Sequence, residues 1–395
     1  MRSDTTWIIR LDEGRSGPSV GVKDLIDVVG VPTTAACQAV ADLAQPAVAD
    51  AACLRGLRAA MGAGRARLVG KTNLHELADG VTGVNAWAGT PVNPLDPDAV
   101  PGGSSSGSAV AVASGQADIA YGSDTAGSVR IPAACCGVVG LRTTWDRIPL
   151  DGVWPLAPSF DTIGPLARDV AGIVAGMDLL EPGFATSMAG AAKVKMEVVT
   201  VGRLRLEHVG LVAHPDVEAA IDRALAASGF ATRDVRPAGW QGASGAGVTV
   251  IGSEALAAHG ALVRHHPGKI GDDVATHFAH AARAGHQRLR DARSTIERWA
   301  REMDRLWDGD GPSPLSVLAL PTIGVAAPRI GPGAARAIGV AWTLPISAAG
   351  LPALALPLPL AGTPLRASLQ LVGRRGSEAL LCALGSWFEA AIAGW

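Results

Sequence analysis

Through the first half of the chain, short apolar runs alternate with stretches of small, helix-compatible residues, and that alternation restricts the architecture to the α/β class. Strands are expected at Ser19–Lys23, Arg67–Gly70, Ala117–Tyr121 and Val138–Arg142, with helices over Val48–Met61 and Gly107–Ser114. A short helix opens at Thr72 and covers Leu74–Ala78, with Asn73 and Glu76 as its start signals. Residues 82–103 carry Gly, Asn, Pro and Asp at turn-forming density and read as a long loop. Structureless loops of that length inside a compact domain are usually functional. This one delivers a run of serines onto a helix start.

The second half is less regular. Arg168–Leu180 and Pro215–Ser228 read as amphipathic helices, and Val274–Met303 as largely helical. Val317–Leu320, Ala353–Leu356 and Ala367–Val372 read as buried strands, and Ser377–Ile392 as a closing helix. Pro237–Ser253, rich in Gly, Ala and Ser, is expected to be a flexible surface connection. The whole, 1–395, is expected to form one domain on one continuous sheet.

With 48% hydrophobic residues, the chain can bury a sizeable core. A net charge of −2 supplies no basic field for nucleic acid, so a small-molecule partner is the expectation. Cys37, Cys53, Cys135, Cys136 and Cys382 follow no framework spacing and read as buried thiols in a reducing compartment. Asp4, Asp12 and Glu13 interrupt any signal-peptide core, and prolines break the apolar stretch 344–361. A soluble, cytoplasmic protein without a membrane partner is expected.

Two Gly/Ser-rich segments carry the chemistry. One is Pro101-Gly102-Gly103-Ser104-Ser105-Ser106-Gly107-Ser108, and the other is Gly122-Ser123-Asp124-Thr125-Ala126-Gly127-Ser128-Val129-Arg130-Ile131-Pro132. Small residues ahead of a serine let the backbone approach a substrate and turn its N–H groups inward. The run Thr125-Ala126-Gly127-Ser128 has that character, and a helix after Ser128 adds its dipole. A serine hydroxyl also needs a base, and no histidine lies near either segment. Lysine serves when desolvation lowers its pKa, whereas arginine stays protonated. Of Lys23, Lys71, Lys193, Lys195 and Lys269, Lys23 is the best placed, because it ends an apolar strand and precedes Asp24.

Gly21-Val22-Lys23-Asp24, Gly70-Lys71-Thr72-Asn73, the two serine segments and Pro158-Ser159-Phe160-Asp161-Thr162-Ile163-Gly164-Pro165 together resemble the amidase signature family. The likeness is strong over 18–168 and returns weakly at 351–360 and 369–373. It implies a central mixed β-sheet flanked by α-helices, an α/β/α fold, with 169–395 as a variable half completing the sheet. It also implies a triad of Lys23 as base, Ser104 as the cis-serine relay and Ser128 as nucleophile. The N–H groups of Thr125, Ala126, Gly127 and Ser128 would form the oxyanion hole. Ser105 and Lys71 would stand in support behind them. The implied reaction is hydrolysis of a carboxamide to acid plus ammonia or amine through an acyl-enzyme, with no metal and no cofactor; ester cleavage could use the same machinery.

The sequence departs from the family pattern in three ways. Ser106 and Ala126 stand where glycines are more usual, and Ala126 would narrow the site. Residues 1–22 form a short segment ahead of the lysine, so the site is expected to be open, or covered by a partner, and a homodimer fits.

Two other functions are weighed: a glutamine-hydrolysing transamidase component resembling the catalytic part of tRNA-dependent amidotransferases, and a non-catalytic binding protein on the same scaffold. Gly103-x-Ser105-x-Gly107 formally matches a nucleophile elbow, yet a Pro-rich loop rather than a strand precedes it. Gly70-Lys71-Thr72 mimics the end of a phosphate-binding loop but lacks the upstream glycine at 65. Cys135 and Cys136 read as packing rather than as nucleophiles. His265, His266, His277, His280 and His286 complete no metal spacing. Trp87, Trp145 and Trp154 read as acyl-pocket walls or as core.

Overall fold

The computed structural model describes residues 4–14, 16–191, 199–308 and 314–395. Lys193 and Lys195 lie outside the described residues. The strands are β1 (Trp7–Glu13), β2 (Ser19–Lys23), β3 (Arg67–Thr72), β4 (Ile119–Ser123), β5 (Val139–Arg142), β6 (Ile163–Ala167), β7 (Thr200–Leu204), β8 (Ala231–Val235), β9 (Val317–Pro321), β10 (Ala353–Pro359) and β11 (Arg366–Val372). They form one 11-stranded mixed sheet in the order β1-β3-β2-β4-β6-β5-β10-β11-β9-β7-β8. β2 runs parallel to β3 and β4, while β6, β5, β10 and β11 follow one another antiparallel. β9 then pairs antiparallel with β11, and β7 pairs parallel with β9 and β8. The fold is α/β, with helices flanking this sheet.

The central strands are buried on both faces, which is why their sequences read as apolar runs without alternation: β2, β4, β5, β6 and β9 are buried at every position. β8, at the edge, alternates between exposed and half-buried positions. Its polar residues, Thr232, Arg233 and Asp234, make it unreadable as a core strand. The same is true of β1, where Arg10, Asp12 and Glu13 face solvent beside a buried Trp7.

Several sequence-based boundaries move. The helix expected from Val48 starts only at Ala52, as a 3₁₀ turn running into Arg55–Gly62, and Val48 itself is fully solvent-facing. Val274–Met303 divides into Asp272–Ala281 and His286–Asp308. The largest correction concerns Pro237–Ser253. Far from a flexible connection, it enters a 26-residue helix, Trp240–His265. Glycines at 242, 245, 247 and 252 hide its periodicity, and Gly247 lets the Leu344 side chain come against the helix, where a Cβ would lie 2.9 Å from it. By length and apolarity this helix could cross a membrane. Its contacts argue for packing instead. It lies against Asp272–Ala281, His286–Asp308 and Leu344–Ala348, and its Trp240 meets Trp299 edge-on at 5.7 Å.

Candidate active site

β2 and β4 run side by side, and their C-terminal ends bring Lys23 next to Ser123. Lys23 Nζ is fully buried and donates to Ser104 Oγ at 2.7 Å and Ser123 Oγ at 2.9 Å. Burial pushes the ammonium pKa down to about 7, against the opposing pull of the carboxylates of Asp124 and Asp161. Near neutrality Lys23 therefore has a substantial neutral fraction.

Ser104 follows a cis peptide bond from Gly103 and is itself fully buried. Its carbonyl accepts from the His75 amide at 2.9 Å, and Gly103 N–H donates to Val81 at 2.7 Å. The segment 75–82 thereby fixes the first serine run. Ser105 fastens that run to the second: its amide donates to the Ser128 carbonyl at 3.1 Å, and its hydroxyl to the Ser123 carbonyl at 3.3 Å. The helix Ser106–Ala113 begins immediately after it. The Ser106 hydroxyl is buried and has no hydrogen-bond partner among the described residues.

The loop carrying Ser128 is organised by Asp124. Its carboxylate accepts from Gly127 N–H at 2.9 Å and Val129 N–H at 3.2 Å, and from Arg130 through Nε at 2.9 Å and a terminal nitrogen at 2.8 Å. Arg142 joins at 3.2 Å. All three charged side chains are completely buried. The two guanidiniums hold the Asp124 carboxyl well below the usual carboxylate range despite its burial. Gly127 sits at φ +133°, and a Cβ there would lie 2.5 Å from Thr343 Oγ1, so only glycine fits. With the Gly127 amide turned to Asp124, the amides of Thr125, Ala126 and Ser128 donate to no such internal partner among the described residues. Thr125 Oγ1 in turn donates to Asp161 at 2.6 Å, and Asp161 accepts from the amides of Leu156 and Ala157.

Lys71 does not stand beside Lys23. Lys23 pairs in register with Thr72, so Lys71, one residue back on β3, points to the opposite face. There it ion-pairs with the equally buried Asp24 at 2.8 Å and donates to Thr33 Oγ1 at 2.6 Å. It anchors the loop after β2 rather than the Lys23 amine.

Ser128, Thr125 and Ala126 lie on the wall of a cavity of about 650 Å³. The rest of the lining comes from 75–84, from Leu156, and from the second half: the helices Trp240–His265 and Asp272–Ala281, Ala284, Arg288 near the start of the helix His286–Asp308, and the segment 330–344. No residue before His75 lines it, so the N-terminal segment forms no part of this cavity's wall. The lining is dominated by apolar groups such as Val248, Ile251, Phe278, Val340 and Leu344.

None of the three tryptophans contributes. Trp87 and Trp145 are exposed, and Trp154 stacks on His259 at 5.4 Å. His277 and His280 do line the cavity, but no group of metal-ligating side chains assembles among the described residues. Cys135 and Cys136 are buried, and burial pushes the Cys135 thiol up to about 12, so they pack rather than react. Sequence reasoning missed Ser123, Asp161, Thr343 and Gln370. Ser123 and Asp161 lie inside quoted motifs and Gln370 inside the weakly resembling stretch 369–373, where nothing local pointed to Arg130; Thr343 is remote and carried no local signal.

The Amidase family profile matches residues 16–382. The chain is 41% identical over 211 residues to the A component of the glutamyl-tRNA(Gln) amidotransferase of Halobacterium salinarum, covering 51% of this chain and 48% of that one. It thus spans about half the length of the curated relatives it matches. Among solved structures, an amidase superposes with a TM-score of 0.83 at 32% identity, covering 95% of this chain and 84% of the other. A protein studied for the evolutionary origins of an s-triazine catabolic enzyme superposes with a TM-score of 0.87 at 27% identity, covering 96% and 85%. The chain belongs to the amidase signature family, enzymes that act on carbon–nitrogen bonds.

Proposed function

We propose that this chain is a serine amide hydrolase for small carboxamides, with Ser128 as nucleophile, Ser104 as relay and Lys23 as base. The observation that carries this reading is the buried Lys23 amine, with a pKa near 7, bonded to Ser104 Oγ at 2.7 Å behind the cavity wall that holds Ser128. Neutral Lys23 takes the Ser104 hydroxyl proton while Ser104 takes that of Ser128, and Ser128 Oγ bonds to the amide carbon. The oxyanion would be met by the amides of Thr125, Ala126 and Ser128, with the Gly127 amide holding the loop through Asp124. On collapse the C–N bond breaks, and the leaving nitrogen recovers a proton from Lys23 through Ser104. Water, deprotonated by the same route, then releases the acid from Ser128.

A serine-reactive fluorophosphonate, read by intact mass, tests the assignment. Wild type is expected to gain one adduct, Ser128→Ala none, and Lys23→Met only a slow one. Labelling that persists in Ser128→Ala moves the nucleophile elsewhere and sinks the triad. Absence of labelling in folded wild type supports the non-catalytic reading.

The amidotransferase relatives support a second reading, in which the same triad releases ammonia from glutamine as one component of a complex. Glutaminase activity that appears only with a copurifying partner would favour it.

A further inference from the structure

Four charged or ionisable groups from the second half reach the cavity: Asp273, His277, His280 and Arg288. The carboxylates there are already engaged. Asp273 bonds to His75 Nε2 at 3.0 Å, and Asp79, from the first half, faces His277 Nδ1 at 3.5 Å. Arg288, near the start of the helix His286–Asp308, is exposed and forms no ion pair or hydrogen bond among the described residues.

Around it the chain is one-sidedly basic. From His277 to Arg293 it carries His277, His280, Arg283, His286, Arg288, Arg290 and Arg293 against a single acid, Asp291. Of these, Arg293 lies 3.7 Å from Glu254 and Arg290 bonds to the neutral Gln287. The same largely apolar cavity is thus lined by Ser128 and by a guanidinium with no counter-charge among the described residues. That arrangement fits a ligand that is reactive at one end, apolar along its length and anionic at the other.

Resting on the hydrolase reading above, we infer that the substrates are amides whose acyl chain ends in a carboxylate, received by Arg288. A planar guanidinium suits a carboxylate because it can donate two parallel hydrogen bonds, which a lysine in its place could not. Asp79 and Asp273 are each turned to a histidine at the cavity wall.

The test compares adipamic and suberamic acids with hexanamide and octanamide as substrates. Wild type is expected to favour the acids in kcat/KM by about tenfold, the scale of one charge-assisted hydrogen bond in a half-open site. Arg288→Ala is expected to erase that ratio mainly through KM, and Arg288→Glu to shift it towards the amine-ended 6-aminohexanamide. Added salt should narrow the wild-type ratio. Equal kcat/KM for acids and neutral amides in wild type, or a ratio that survives Arg288→Ala, overturns the inference.

Titration calorimetry on Ser128→Ala separates this inference from the hydrolase reading. Tighter binding of adipamic acid than of hexanamide, lost when Arg288→Ala is added, supports the anionic-end site even if no amide is turned over. Equal binding rejects it while leaving hydrolysis intact.

Discussion

The two halves of the molecule treat polarity in opposite ways. Between β2 and β6, charged and hydroxyl groups are driven into the interior and tied to one another: Lys23, Ser104, Asp124, Arg130 and Arg142 have no solvent exposure at all. Around 248–288 the cavity wall is apolar, while its ionisable groups stay half-exposed, with the His277 side chain 56% exposed. The first arrangement fixes geometry and tunes a pKa, and it tolerates almost no change. The second shapes which molecule enters and can vary at small cost to the fold. Reactivity and selectivity are thus laid down in materials of different stiffness.

The sharpest way to break this contrast is at the nucleophile. Ser128→Ala should cut turnover on the order of 10⁴-fold or more, measured by amide release, while leaving thermal unfolding close to wild type. Lys23→Met should cost on the order of 10²–10⁴-fold in kcat/KM. The pH profile sharpens that prediction. Lys23 must be neutral to accept a proton, so wild-type activity should rise through about pH 7 as the ammonium deprotonates. A rate that stays flat from pH 5.5 to 8.5, taken as roughly one and a half units either side of that value, would remove lysine as the base.

The Asp124→Asn variant probes stiffness directly. It leaves Arg130 and Arg142 buried without their counter-charge, which should cost about 3–5 kcal/mol in denaturant unfolding. In the second half, His277→Gln removes a half-exposed pair with Asp79 and should change stability by less than about 1 kcal/mol, with its effect appearing in KM instead. If His277→Gln destabilised the protein as much as Asp124→Asn, the division into stiff and permissive regions would be wrong.

The sequence was most legible where composition and chemistry coincide. Gly-Val-Lys-Asp and the two serine runs single out Lys23, Ser104 and Ser128 through their resemblance to the amidase signature pattern, and the structure brings Lys23 to Ser104 at 2.7 Å. β1 and β8 went unread because edge strands carry charges that mask their period. The helix Trp240–His265 was mistaken for a flexible connection because glycines such as Gly247 and Gly252, which let Leu344 and Ala281 come close, look in a single sequence like loop glycines. Lys71 was misplaced for a third reason. Which face of β3 it takes depends on a register shift between β2 and β3, at Val20/Gly21, that no local pattern encodes.

Arg130 lies two residues after Ser128, yet it donates to Gln370 at 2.6 Å and to Ser347 at 2.8 Å, partners 240 and 217 positions further along. β5 likewise meets its outer neighbour only when residues 353–355 arrive. During synthesis, then, the polypeptide carries its whole reactive apparatus out of the ribosome long before the pieces that hold it in shape exist. A nascent chain halted anywhere short of β11 has Ser128 but not the partners of Arg130. The shape of the Ser128 loop is therefore completed only after β11 has emerged.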